Sequence, residues 1–211
     1  MAIIATSNGN SQRELIEPGN YVARCYKMLQ IGTVKETIMG VEKTLHKVRI
    51  GWELPGELRV FSEEKGEQPI IIDKEYTLSM HEKSRLRADL KSWRGKDFSE
   101  DEAKAFDITK LIGAPCMLNI IHKPSKDGLR QYEEISSIAK MPKGMDCPAA
   151  ISKIQILSYD DFDWELFESQ PDFIKDKIKA SEEYKNLQSP GHKEAVPAHE
   201  LVTVDDDDLP F

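Results

Sequence analysis

Seven residues at the end of the chain, Asp205, Asp206, Asp207, Asp208, Leu209, Pro210 and Phe211, are suited to recognition chemistry. Four consecutive aspartates without apolar periodicity stay solvated and extended by self-repulsion, and alone they read as a solvated charge run. Phe211 changes that reading. An exposed ring with no core to join fits an apolar pocket on another protein, and the carboxylates beside it meet the Lys and Arg of that pocket's rim. A second set mixes cations with aromatic rings: Arg24, Tyr26, Lys35, Lys47, Arg49, Lys123, Lys126, Arg130 and Tyr132. Cations track phosphates and rings stack on bases, which is the chemistry of single-stranded nucleic-acid binding. Taken singly, each is as readily a solvated cation or a core tyrosine; the grouping gives them meaning.

Catalytic patterns are missing. The sequence has no CxxC, HExxH or GxSxG and no phosphate-cradling glycine loop. Its five histidines (His46, His81, His122, His192, His199) lack ligand spacing, so neither a metal nor a cofactor is expected.

The chain has 211 residues, 31% charged and 39% apolar, enough for one domain with an appendage that is not all packed. Its net charge of −8 is uneven. Residues 1–142 carry 22 Lys and Arg against 21 Asp and Glu, whereas residues 143–211 carry 7 against 16. A near-neutral body with an acidic final third is compatible with a polyanion partner, because distribution counts for more than the total. No apolar run reaches the ~18 residues of a membrane span. The start lacks the basic and apolar regions of a signal peptide. Cys25, Cys116 and Cys147 are odd in number and widely spaced, as reduced thiols of a cytoplasmic protein are.

The elements that would position these residues follow from periodicity. Residues 1–19 are polar and close on Pro18-Gly19, a loose arm. Asn20–Gly32 alternates in part, with Arg24 and Tyr26 on the wetter parity. Thr44–Leu54 alternates cleanly: Val48, Ile50, Trp52 and Leu54 face inward, Lys47 and Arg49 outward. Ile70–Met80 is a third strand interrupted by Lys74. Ser79 and Glu82 fit a capping box opening a helix whose apolar face is Leu86, Leu90 and Trp93, stopped at Gly95. Ser99 and Glu102 form a second box, and Asp107 caps one more turn. Cys116–Lys123 and Arg130–Met141 pair across an Asp-Gly hairpin turn. Tyr159–Leu187 has helical spacing broken at Pro171, suited to a first helical position. From Gln188 the composition is that of a disordered linker.

Strand–strand–strand–helix–strand–strand is the order of an OB-fold. The expected fold is therefore mainly β with helical insertions: a five-stranded OB-fold barrel with a helix between strands 3 and 4, a C-terminal helical extension and a disordered acidic tail. The expected units are an N-terminal arm (1–19), a DNA-binding barrel (20–145), a partly helical extension (146–187) and a linker with the acidic tip (188–211). OB-folds bind oligonucleotides on the strand 2–3 face and with the loops joining strands 1–2 and 4–5. Lys35 lies in the first loop, Lys47 and Arg49 on the face, and Lys123, Lys126, Arg130 and Tyr132 at the second loop.

DDDDLPF resembles the acidic tip of bacterial single-stranded DNA-binding proteins, which recruits replication, recombination and repair enzymes. The body resembles phage-encoded OB-fold single-stranded DNA-binding proteins, in the stretches YVARCYKMLQIGT (21–33), HKVRIGWELP (46–55), KEYTLSMHEKSRLRADLKSWRGKDF (74–98), IGAPCMLNIIHK (112–123) and MPKG (141–144). The resemblance implies a non-enzymatic protein that coats single-stranded DNA in the bacterial host cytoplasm and recruits partner enzymes through its tail. Residues 146–187 exceed a minimal barrel; they pack on it, pair two subunits into a dimer, or both. Two rivals stand beside this reading: an OB-fold protein-interaction adaptor without direct DNA binding, and a subunit of a DNA enzyme with clustered carboxylates.

Overall fold

β1 (Gly19–Ile38) organises the molecule, because elements from four parts of the chain lie along its edges and faces. A computed structural model describes residues 14–125 and 127–187; Lys126, the first thirteen residues and the linker with its acidic tip lie outside the described residues. β2 (Val41–Ser62) and β3 (Gly66–Thr77) continue from β1 as antiparallel hairpins. After the helices α1 (Arg85–Arg94) and α2 (Glu100–Lys104), β4 (Pro115–Pro124) pairs with the first residues of β1, and β5 (Gln131–Ala139) pairs with β4. The five antiparallel strands run in the order β3-β2-β1-β4-β5 and curl into a half-barrel. Further along β1, β6 (Gln155–Leu157) takes the edge that β4 leaves, in parallel. Helices α3 (Trp164–Glu168), α4 (Asp172–Ala180) and α5 (Glu182–Leu187) follow. No helix among the described residues is long and apolar enough to cross a membrane.

Two register shifts in β1, at Tyr26 and Ile31, set which side each residue faces. An inserted residue reverses the alternation beyond it. Ala23, Cys25 and Met28 thus enter the barrel core, with Trp52, Leu86, Trp93 and Leu118, while Leu29 and Ile31 enter a second cluster on the outer face. That cluster is completed by Leu157, Phe167, Ile174, Ile178 and Tyr184. The extension therefore packs on the sheet rather than trailing from it.

The half-barrel's open seam, between β3 and β5, is closed by side chains. Lys74 points inward, which explains its place in an otherwise apolar parity. Its Nζ donates to Asp89 of α1 at 2.7 Å and to the Ile135 carbonyl of β5 at 3.1 Å. Tyr76 Oη donates to the same carboxylate at 2.9 Å. Arg85 reaches both Asp89 and the Ser136 carbonyl. Burial holds the Lys74 ammonium below the ordinary lysine value, and burial beside Asp89 pushes the Tyr76 phenol up.

Local signals are met with three corrections. Ser99 and Glu102 do form a capping box, and Gly95 ends α1 in the left-handed region at φ 75°. However, α1 is capped by Ser84, not Ser79: the hydroxyl of Ser84 accepts from Arg87 N, and Ser79–Lys83 form a turn instead. Pro171 is the residue before α4, with ψ 147°, not its first helical residue. Residues 14–18 are not a loose arm. Ile16 is buried, its N–H donates to Glu133, its carbonyl hydrogen-bonds the His122 ring, and Arg59 donates to the carbonyls of Glu14 and Leu15. A single apolar residue in a polar stretch carries no periodicity, which is why this anchoring has no signature in the sequence.

Removing the carboxylate at the seam leaves the half-buried Lys74 ammonium without its counter-ion and the buried Tyr76 phenol without its acceptor. Asp89→Ala should lower stability by about 3–5 kcal/mol, read as a fall in the urea midpoint. Asp89→Asn, which keeps an acceptor oxygen, should cost less.

Candidate nucleic-acid interface

The outer face of β2 carries Lys47, Arg49, Gly51 and Glu53 in alternation, as the periodicity predicts, but this face is not open. Lys27, Gly51 and Asp73 are cross-strand partners in one row. Lys27, only 5% exposed, lies across Gly51 to reach Asp73 at 2.8 Å. A methyl group on Gly51 would sit 2.4 Å from the Asp73 carboxylate and 2.7 Å from Lys27 Cε, so the glycine makes room for the pair. Arg49 binds the same carboxylate at 3.0 Å and lies under the Phe173 ring of α4, 5.4 Å from its centroid. Lys47 pairs with Glu36 at 2.8 Å and approaches Glu75 at 3.9 Å. Lys177 of α4 donates to Glu75 at 2.9 Å.

Further along, Glu53 is fully buried and accepts from the backbone N–H groups of Ile151, at 3.0 Å, and Ser152, at 2.6 Å. At the other end, Glu183 of α5 accepts from Thr33 N at 2.6 Å and Thr33 Oγ1 at 2.7 Å. Gly32, at φ 92°, leaves the space: a Cβ there would stand 2.7 Å from Glu183. The side chains of Lys47 and Arg49 are 12% and 19% exposed, and each is matched by carboxylates. The expectation that they line an open face is therefore corrected: the extension covers that face, and alternation within one strand carries no information about a later segment.

Two other expected contacts are also placed elsewhere. Arg24 donates to the carbonyls of Gly113, Cys147 and Pro148, so it holds the start of the extension against the barrel. Tyr26 sits at the β1 bulge, buried, with its phenol pushed up by burial and by Asp73. It offers no ring for stacking.

The β4–β5 hairpin end fits the expectation better. Tyr132 is 45% exposed and pairs across the strands with Lys123. Arg130 is exposed beside it, and Lys123 pairs with Glu134 at 2.6 Å. Lys35, near the β1–β2 turn, is exposed and paired with Glu42 at 3.0 Å. The two hairpin ends lie off opposite ends of β1, so they do not converge on one loop cluster. Lys126 and the tip residues Asp205, Asp206, Asp207, Asp208, Leu209, Pro210 and Phe211 lie outside the described residues.

A cleft between β2, the end of β3 and the start of α1 is a concave surface that sequence reading missed. Lys47, Glu75, Ser79, His81, Lys83 and Arg85 line it. Assigning the helix cap to Ser79 placed Lys83 inside a helix and hid the turn that presents it. Among the described residues, no cluster of His, Cys, Asp and Glu could hold a metal ion. No protein-family model, curated protein or solved structure matches the chain.

Because Lys47 and Arg49 are matched to acids beneath α4, reversing both should weaken the fold. Lys47→Glu with Arg49→Glu should lower the melting temperature by at least ~4 °C, the shift that about 1–2 kcal/mol gives in a domain of this size. An unchanged melting temperature would mean that α4 does not depend on these pairs.

Proposed function

We propose that this chain is a single-stranded DNA-binding protein built on an OB-type barrel, acting in phage or prophage DNA replication or recombination in the bacterial cytoplasm. The observation that carries the reading is the strand order β3-β2-β1-β4-β5 with α1 lying between β3 and β4. That order, with β1 shared between both halves, supports an OB-type barrel. Tyr132, Lys123 and Arg130 at the β4–β5 turn supply a ring and cations at a loop that such barrels use for oligonucleotides. The acidic tip, Asp205–Phe211, recruits replication or recombination enzymes by placing the Phe211 ring in a basic, apolar pocket.

Fluorescence anisotropy with poly-dT, single-stranded RNA and duplex DNA at two salt concentrations tests this. Single strands should bind better than duplex, with affinity falling as salt rises by a slope of about −0.7 per phosphate contact. The acid-matched state of Lys47 and Arg49 favours a second reading, an OB-type adaptor that binds protein alone; that reading requires no salt-sensitive DNA binding.

Tyr132→Ala should weaken poly-dT binding by the ~1–3 kcal/mol of one base–aromatic stack, about 5- to 150-fold, with an unchanged melting temperature. In pull-downs from host lysate, Phe211→Ala should lose the replication or recombination partners while DNA affinity holds. Retention of every partner would leave the tip a solvated charge run.

A further inference from the structure

We propose that the cleft between β2, the end of β3 and the start of α1 is a phosphate-binding subsite that takes a phosphodiester of the bound strand. The proposal rests on the single-stranded DNA reading above. The cleft measures about 460 Å³, within the ~300–1,000 Å³ range of ligand sites. Its cations come from separate elements: Lys47 from β2, Lys83 from the turn after β3, and Arg85 from the first position of α1. Glu75 is the carboxylate that lines it, and Lys177 already binds Glu75 through both oxygens at 2.9 and 3.0 Å. Lys47 is also paired with Glu36 at 2.8 Å and Arg85 with Asp89 at 3.1 Å, so Lys83 is the cation of this cleft that no described carboxylate matches.

The turn that presents Lys83 is held rigid. Ser79 Oγ accepts from His81 N at 3.2 Å, Ser84 Oγ donates to the Ser79 carbonyl at 2.5 Å, and Ser84 N donates to the His81 carbonyl at 2.8 Å. Lys83 N donates to His81 Nδ1 at 3.2 Å. An accepting Nδ1 leaves Nε2 as the N–H of the neutral ring, and His81 lines the cleft. Lys83 itself is exposed and makes no ion pair among the described residues. A fixed turn displaying an unmatched ammonium costs little reorganisation when an anion enters. The seam network supports the same surface: Arg85 is steadied by Asp89 at 3.1 Å, so the subsite is tied to barrel closure.

Lys83→Glu, Lys83→Arg and, as a charge-reversal control outside the cleft, Lys104→Glu test the subsite by poly-dT titration at several salt concentrations, with melting temperatures measured alongside. Lys83→Glu should lose at least about tenfold in affinity at low salt, and its salt slope should be shallower by about 0.7, one phosphate contact. Lys83→Arg and Lys104→Glu should bind as wild type. If wild type binds poly-dT and Lys83→Glu binds with equal affinity and slope, the subsite is overturned while the function stands. If Lys104→Glu loses as much as Lys83→Glu, the effect is general charge and the subsite is likewise overturned. If wild type does not bind poly-dT, the functional reading fails, and the subsite with it.

Discussion

Burial of β1 on both faces is the constraint on which the remaining architecture depends. From Cys25 to Leu29 every residue is buried, so alternation cannot leave a wet side. The barrel core takes one face and the helices of the extension take the other. The bulges at Tyr26 and Ile31 reconcile these demands by re-aiming the strand between the two clusters. The edges are equally committed, β2 along one side and β4 then β6 along the other. A strand so enclosed fixes where every neighbour must lie.

Covering a sheet face that carries charges requires each charge to be matched, because an unpaired buried ion is costly. The outer face meets this with Lys27 and Arg49 on Asp73, Lys47 on Glu36, and Glu53 on two backbone N–H groups. Glycine at 51 and 32 is the steric counterpart, each lying where a side chain from another element crosses the strand. Polar matching and small residues thus let an extension with its own apolar cluster settle on a face that, in strand 2 alone, reads as solvated. Cations that this covering leaves exposed lie at the margins, among them Arg130 at the β4–β5 turn and Lys83 in the cleft beside α1.

Much of the fold was legible in the sequence. The strict alternation of Val48, Ile50, Trp52 and Leu54, the Ser99–Glu102 box, the stop at Gly95 and the Asp-Gly hairpin are short-range signals, and all correspond to observed elements. The site was less legible, for a physical reason. Whether Arg49 meets solvent depends on Phe173, and whether Arg24 does depends on Cys147 and Pro148, more than a hundred residues further along. Parity reports the face of a strand, not what a distant segment lays upon it. The misplaced cap shows a different limit: Ser79 and Ser84 each offer a hydroxyl before a helical run, and the choice was made by Ser84 Oγ accepting from Arg87 N.

The shared strand also sets an order of assembly. β1 leaves the ribosome before most of its partners, which include residues 115–120, 155–157 and Glu183. Contacts this distant in sequence close large loops before they yield any stabilisation, and chains dominated by them fold slowly. Until β4 and β6 are synthesised the second edge of β1 has no partner, and until α3, α4 and α5 follow, Leu29 and Ile31 lack most of their cover, which leaves the nascent sheet open to association. The extension is therefore the last piece to cover the outer face of β1, and its docking ends the exposure of Leu29 and Ile31.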